Sequence, residues 1–261
     1  MLKKLWKYEL MATGRIFLPL FAALLVVSII NRLFSSLGMT APSVIGIVLS
    51  VIIIIGICVL TLILTLQRFR NNLLSSEGYL MMTLPVSTDS IILSKLFTAS
   101  IWNIASFVIV VISILIMALS GISIPEIIEN IRVFFSQITM PPATHVVIYT
   151  IEALVAIILS LFSGILLLYT CMSLSMLVNK RRGLFTFGAF IVITTAMQTV
   201  FVVVGAIGAA VGIYDLFNTS ALSEFMQIQL VIFVVIVAEA ATCFVFYYIT
   251  RYMLKNRLNL Q

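Results

Sequence analysis

An all-α integral membrane protein with six transmembrane helices is the fold class that this sequence predicts. Of its 261 residues, 62% are hydrophobic and only 9% are charged, whereas an ordinary soluble domain carries about 25% charged residues. A bilayer-spanning helix needs about 20 predominantly apolar residues, and six apolar runs of about that length or longer follow one another along the chain. The composition therefore excludes a soluble globular protein and leaves no room for an appended catalytic domain.

The six spans belong to one polytopic membrane domain that covers residues 1–261. We place them at about 16–34, 43–66, 96–119, 146–178, 184–212 and 226–250. The basic residues before the first run resemble the start of a signal peptide, but Glu9 interrupts them and no clear cleavage site follows. We therefore expect the first run to remain as an uncleaved span.

The distribution of basic residues predicts the orientation of the chain. Lys and Arg accumulate in the cytoplasmic loops of membrane proteins. With the N-terminus inside, 13 of the 15 basic residues fall on the cytoplasmic side, and only Arg32 and Arg132 fall outside. Both termini are therefore predicted to be cytoplasmic, and topology explains the net charge of +6 without a nucleic-acid partner.

Residues 2–13 have the pattern of an amphipathic helix. Leu2, Leu5, Trp6 and Leu10 share one helical face, and the three lysines lie on the other. Such a segment is typical of a helix that lies along the membrane interface, here at the inner leaflet. It either anchors the first span or contacts a partner, and both interpretations stay open.

The loop between the second and third spans, at about 67–95, is unusually long and patterned for this chain. Ser75-Ser76 before Glu77-Gly78 end the preceding helix, Pro85 marks a break, and Ser87 or Thr88 is a candidate N-cap of the third span. Glu77 and the adaptable side chains of Tyr79, Met81 and Met82 suit a docking surface. Alternatively, the loop is a solvated connection whose Glu-Gly and Pro only form turns.

Several segments of this loop resemble the permease subunits of type-2 (ABC-2) ABC exporters, of the small Gram-positive bacterial type. The resemblance lies in Glu77-Gly78-Tyr79-Leu80, Thr83-Leu84-Pro85-Val86-Ser87 and Ser94-Lys95, and it extends to Lys7-Tyr8-Glu9-Leu10 and Gly14-Arg15-Ile16-Phe17-Leu18-Pro19. The external segment at about 213–225 is shorter than in family members with large outer re-entrant regions, so no outer gate is inferred from them.

The resemblance implies that the loop contains a cytoplasmic coupling helix that contacts a separate ABC ATP-binding subunit. It also implies that two permeases, either two copies of this chain or this chain and a paralogue, surround a central path in the bacterial cell membrane. ATP and Mg²⁺ would then be bound by the partner subunit and no cofactor by this chain. The coupling residues carried onto this sequence are Glu77, Gly78, Tyr79, Leu84, Pro85 and Ser87.

Two acidic residues, Glu152 and Glu239, fall inside predicted spans, where ionisable groups are costly and often functional. Glu239 shares a helical face with Thr242, Cys243 and Phe246, and its alternative role is to join helices. Glu152 follows His145 and Tyr149 on one face near the outside, which a wet outer mouth explains as well as a binding site does.

Small and weakly polar residues continue along the fourth and fifth spans. They are Ser160, Ser163, Gly164, Thr170, Cys171, Thr194, Thr195, Gln198 and Thr199. They either line a translocation path or permit close helix packing. The candidates for the path are Glu239, Glu152, Tyr149, Gln198 and Thr195.

Motifs of the common enzyme classes are absent from the sequence. It contains no phosphate-binding Gly-Lys-Ser/Thr loop, no His-Glu-x-x-His and no Gly-x-Ser-x-Gly. A single histidine and three cysteines in separate apolar runs indicate neither a metal site nor a disulfide framework. We therefore expect that this chain is not an enzyme and that ATP is hydrolysed by the separate partner subunit. A proton-coupled secondary carrier that uses Glu239 and Glu152 is an alternative function, although no inverted repeat is evident, and a membrane scaffold or accessory subunit is another.

Overall fold

The computed structural model describes residues 2–73, 88–119, 126, 128–129, 132–133, 143–178, 181–210 and 224–256, with the side chains excepted at 2–9, 71–73, 143–145, 224 and 256. These residues form six long helices: α1 (Leu2–Ser36), α2 (Thr40–Leu73), α3 (Thr88–Ala118), α4 (Ala143–Ser175), α5 (Arg182–Ala210) and α6 (Glu224–Asn256). Each helix contains a stretch of 27 to 31 residues that is apolar enough to cross a membrane. The prediction of six long apolar helices is confirmed.

The connection between α2 and α3 is shorter than the predicted loop at 67–95. Helix α2 continues to Leu73, and α3 begins at Thr88 with Asp89 in its first turn, where a carboxylate interacts favourably with the helix dipole. The six residues predicted for coupling lie within 74–87, outside the described residues: Glu77, Gly78, Tyr79, Leu84, Pro85 and Ser87. Their role stays a prediction.

Helix α1 joins two segments that were predicted as separate elements. The amphipathic segment 2–13 and the first span form one continuous helix of 35 residues with Pro19 inside it. Proline removes one backbone hydrogen bond from a helix interior and favours a kink there. The placement of the amphipathic segment along the inner leaflet stays a prediction.

The chain folds into two compact units. The first consists of Met1–Arg68 and Ser90–Thr139, and the second of Phe69–Asp89 and Met140–Gln261. In the first unit, Gly14 lies beside Trp102, and Ser28 bonds to Ser113. Because both pairs are separated by a similar number of residues, α1 and α3 run parallel, and α2 returns in the opposite direction.

Aromatic stacking and hydroxyl pairs hold the first unit together. Phe17 stacks on Trp102 with ring centroids 5.1 Å apart, and Phe17 belongs to a buried core with Phe21, Leu24, Ile57 and Leu64. Between helices, Ser28 Oγ lies 2.6 Å from Ser113 Oγ, and Thr61 Oγ1 lies 3.3 Å from Ser106 Oγ. Such bonds between membrane helices contribute about 0.6 to 2 kcal/mol each.

Helices α1 and α2 approach each other closely at Gly46. A Cβ atom at Gly46 would lie 2.6 Å from Asn31 Oδ1 and 2.8 Å from its Cγ. Asn31 is only 4% exposed, and its Oδ1 accepts no hydrogen bond from the described residues. The carbonyl oxygen therefore rests against the Gly46 Cα–H group, a weak contact that recurs where small residues let helices pack closely.

We expect Gly46→Ala to lower the free energy of unfolding by about 1 to 3 kcal/mol, the usual cost of overpacking, because the added methyl group displaces the Asn31 amide. Gly56→Ala is the matched control on the same helix, since a Cβ there meets no atom within 4 Å. Thermal unfolding of the detergent-solubilised protein measures both variants. Equal stability of the two would contradict the close approach.

Candidate functional site

Helices α4 and α6 of the second unit pack in parallel. The Tyr149 hydroxyl donates to the Phe225 carbonyl, and the Thr170 hydroxyl donates to the Phe246 carbonyl at 3.1 Å. Both pairs are separated by 76 residues, which requires that the two helices run in the same direction. Helix α5 packs on α4 and contributes no buried residue of its own among those described.

Side chains of helices α4, α5 and α6 line an open groove of about 250 Å³, here called the Glu239 groove. Its lining residues lie near the middle of the apolar stretches of their helices, and no water reaches a backbone at the middle of a bilayer. They are Ser163, Gly164 and Leu167 from α4, Thr194, Met197, Gln198 and Phe201 from α5, and Glu239, Thr242 and Phe246 from α6.

Two polar groups in the Glu239 groove are left unsatisfied by the described part of the protein. The hydroxyls of Thr194 and Thr242 donate to carbonyls of their own helices. The Glu239 carboxyl and the Gln198 amide make no hydrogen bond to another described residue. Because an unpaired polar group is costly in hydrocarbon, the groove offers a place for a polar or cationic group, for water or for a proton.

The groove contains two of the five residues predicted for the path. Glu239 and Gln198 line it together, and Thr242 and Phe246 share it with Glu239, as their helical spacing predicted. Thr195 does not line it and is exposed on α5, because adjacent residues of a helix point about 100° apart. Cys243 also differs, since its thiol donates to the Leu159 carbonyl of α4 at 3.3 Å.

Glu152 and Tyr149 lie at a different level from the Glu239 groove. Glu152 precedes Ser163 on α4 by eleven positions, a distance of about 16 Å along the helix. Tyr149 joins α4 to α6 through its bond to the Phe225 carbonyl. Glu152 Oε2 is shielded and has no hydrogen-bond partner among the described residues. The two acidic residues therefore do not form one site, and the His145 side chain lies outside the described residues.

The small and weakly polar residues predicted along the fourth and fifth spans divide into two groups. Some line the Glu239 groove, and others are buried between helices. Ser163, Gly164 and Thr194 line the groove, whereas Thr170 and Cys171 are buried. The apolar lining residues Leu167, Met197 and Phe201 were not predicted. Their spacing of three or four residues from predicted polar positions was the signal available in the sequence.

Described residues on either side of segment 74–87 contact α4 and α6. On one side, Phe69 stacks on Tyr169 with ring centroids 4.1 Å apart, and both rings are buried. On the other side, Asp89 Oδ1 accepts a hydrogen bond of 2.7 Å from the Tyr247 hydroxyl and an ion pair of 2.8 Å from Arg251 Nε. Neither attachment was predicted, because the partners are about 100 to 160 residues apart in the chain.

Metal ligands do not come together in the described part of the chain, where no three His, Cys, Asp or Glu residues form a group that could hold an ion. Comparison with known proteins gives no match: no family model, curated protein or solved structure is significantly similar to the chain. The Glu239 groove and the attached segment 74–87 therefore have to be interpreted from their own chemistry.

We expect Glu239→Gln to change the free energy of unfolding by less than about 0.5 kcal/mol, as at positions without specific contacts, because the carboxyl has no described hydrogen-bond partner to lose. Thr170→Val should lower it by about 1 to 2 kcal/mol, because the Thr170 hydroxyl bonds to the Phe246 carbonyl and to Thr250 Oγ1 across helices.

Thr199→Val is the matched control for this comparison, because its hydroxyl bonds only to the Thr195 carbonyl of its own helix. Thermal unfolding in mild detergent measures all three variants. If Glu239→Gln destabilises the protein as much as Thr170→Val, the carboxyl joins helices and the groove is a packing defect.

Proposed function

We propose that this chain is the transmembrane permease subunit of a type-2 ABC exporter in the bacterial cell membrane. A separate cytoplasmic subunit binds and hydrolyses ATP with Mg²⁺, and this chain binds no cofactor. The observation that carries the proposal is the patterned segment at 77–95, which resembles the coupling region of such permeases, in a chain otherwise made of six apolar helices.

The attachments of the segment support this function. Phe69 and Asp89 hold its two ends on α4 and α6, and the same helices line the Glu239 groove. An ATP-driven movement of a partner bound to the segment would therefore act on the helices that shape the groove. Such a movement alternates access only if the partner contacts the segment differently in two states.

The weak packing of α5 supports a second permease. Although α5 packs on α4, none of its described residues is buried, and Phe187, Val202 and Val204 are each more than 60% exposed. A second copy of this chain or a paralogue would cover part of this exposed surface within the membrane and enclose a path with the Glu239 groove. In a single chain, lipid would cover this surface of α5 instead.

A proton-coupled secondary carrier is the second candidate function, and the position of Glu239 favours it. A carboxyl group in the middle of the membrane without a described hydrogen-bond partner is a suitable proton site. The energy source separates the two functions: proteoliposomes of the purified protein should transport with the ATPase and ATP in the first case, and with an imposed pH gradient alone in the second.

The proposed function requires segment 74–87 and both termini to be cytoplasmic. In a cysteine-free background, a membrane-impermeant maleimide added to intact cells should label Ser220→Cys, on the outer side, and should label Ser76→Cys only after the cells are opened. Labelling of Ser76→Cys in intact cells would show that the segment lies outside the cell, which would contradict a coupling role for it.

Substitution of the segment tests its docking role. We expect Glu77→Lys combined with Pro85→Ala to abolish co-purification of an ATP-binding subunit and ATP-dependent transport, because it reverses the charge and loosens the turn of the docking surface. Insertion into the membrane should be unchanged.

The matched control is Glu129→Lys, the same charge reversal at a helical residue of the outer segment, which should leave the complex intact. Purification in mild detergent, ATPase assay and mass spectrometry measure the outcome. An undiminished yield of active ATPase with the Glu77 and Pro85 double variant would show that the segment is only a connection.

A further inference from the structure

A second groove lies in the second unit, where α4 passes into α5, and is here called the Arg181 groove. It has a volume of about 600 Å³ and is lined by apolar side chains of both helices and by Arg181, the residue immediately before α5. The apolar lining includes Leu174, Val178, Phe185 and Val192, and no lining residue is acidic. The groove is thus apolar along its length and basic at one end.

The length of the Arg181 groove matches one leaflet of a bilayer. It follows α5 from Arg181 to Ile193, which corresponds to about 18 Å at 1.5 Å per residue. The hydrocarbon core is about 30 Å thick, so that one leaflet contributes about 15 Å. The groove is therefore long enough for a single acyl chain whose headgroup lies at the Arg181 end.

The basic end of the groove carries the guanidinium group of Arg181, and Arg182 follows it directly as the first residue of α5. Arg181 has a φ of 60°, a backbone conformation that glycine adopts freely and other residues rarely do. Neither Arg181 nor Arg182 forms an ion pair with another described residue, and Arg182 Nε is shielded without a hydrogen-bond acceptor among them. In the sequence, Lys180 directly precedes these two arginines.

We propose that the Arg181 groove binds an anionic phospholipid, with the phosphate at Arg181 and Arg182 and one acyl chain along α5. Basic pockets between membrane helices recognise anionic headgroups in this way. A neutral lipid would leave the guanidinium groups unpaired, and a free phosphate would leave the apolar lining uncovered. The binding site requires neither the ATPase partner nor transport, so it stands independently of the exporter proposal.

Lipid binding to the purified, delipidated full chain tests the site. Native mass spectrometry and thermal unfolding should show binding of phosphatidylglycerol in preference to phosphatidylcholine, by about fivefold for each arginine that contacts the phosphate. Inorganic phosphate at the same concentration should not stabilise the protein.

Substitutions at the two ends of the groove separate the headgroup from the chain. Arg181→Gly should lower the preference for phosphatidylglycerol about fivefold but keep the lipid-free Tm at or above that of the parent, because glycine suits the positive φ. Gly188→Leu should weaken the binding of both lipids, since a Cβ there meets no atom within 4 Å and the larger side chain fills the groove.

Arg70→Gln is the matched control, because Arg70 is an exposed basic residue on α2 outside the groove; it should leave the lipid preference unchanged. Equal binding of the two lipids, or no effect of Arg181→Gly and Gly188→Leu, would overturn the proposal. An equal loss of the preference for phosphatidylglycerol with Arg70→Gln would also overturn the proposal, because it would show that the anionic lipid responds to the net positive charge of the protein and not to this groove. Stabilisation by inorganic phosphate as strong as that by phosphatidylglycerol would identify a phosphate site instead.

Discussion

Hydrocarbon cannot satisfy a polar group, and this constraint determines which residues of the chain matter most. Backbone groups meet the constraint by forming helices. Most described serine and threonine hydroxyls form a hydrogen bond within their own helix, because they donate to the backbone carbonyl three or four residues earlier. Ser50 donates to the Gly46 carbonyl in this way, and Thr65 to the Thr61 carbonyl. The few polar side chains that do neither are the exceptions that require an explanation, and Glu239 is the clearest of them.

Some hydroxyls also bond between helices. They distinguish the polar side chains that hold helices together from those that line the groove. Thr170 bonds to its own helix, to the Phe246 carbonyl and to Thr250, so it is fully committed to packing. One turn or more away, Ser163 and Gly164 leave a space beside Glu239 instead. The same two helices therefore provide a firmly packed contact and an open groove at different levels of the membrane.

The residues that flank segment 74–87 contact two of the helices that line the Glu239 groove. The stacked rings of Phe69 and Tyr169 and the group of Asp89, Tyr247 and Arg251 hold both ends of the segment on α4 and α6. A charged pair is weak at an exposed surface, but here Tyr247 also donates to Asp89, and the buried stack of Phe69 and Tyr169 forms a separate contact on the other side of the segment.

The sequence by itself determined the six apolar helices, their approximate bounds and the presence of a carboxyl group inside the sixth, because hydropathy and length are local properties of the chain. It also indicated that Glu239, Thr242 and Phe246 share a face, which helical periodicity requires. Only the tertiary structure decided that Thr194 rather than Thr195 joins Glu239, since this depends on how α5 is rotated against α4. It likewise decided that Glu152 lies at another level and that Asp89 meets Arg251, because contacts between distant residues depend on helix packing, which no local pattern encodes.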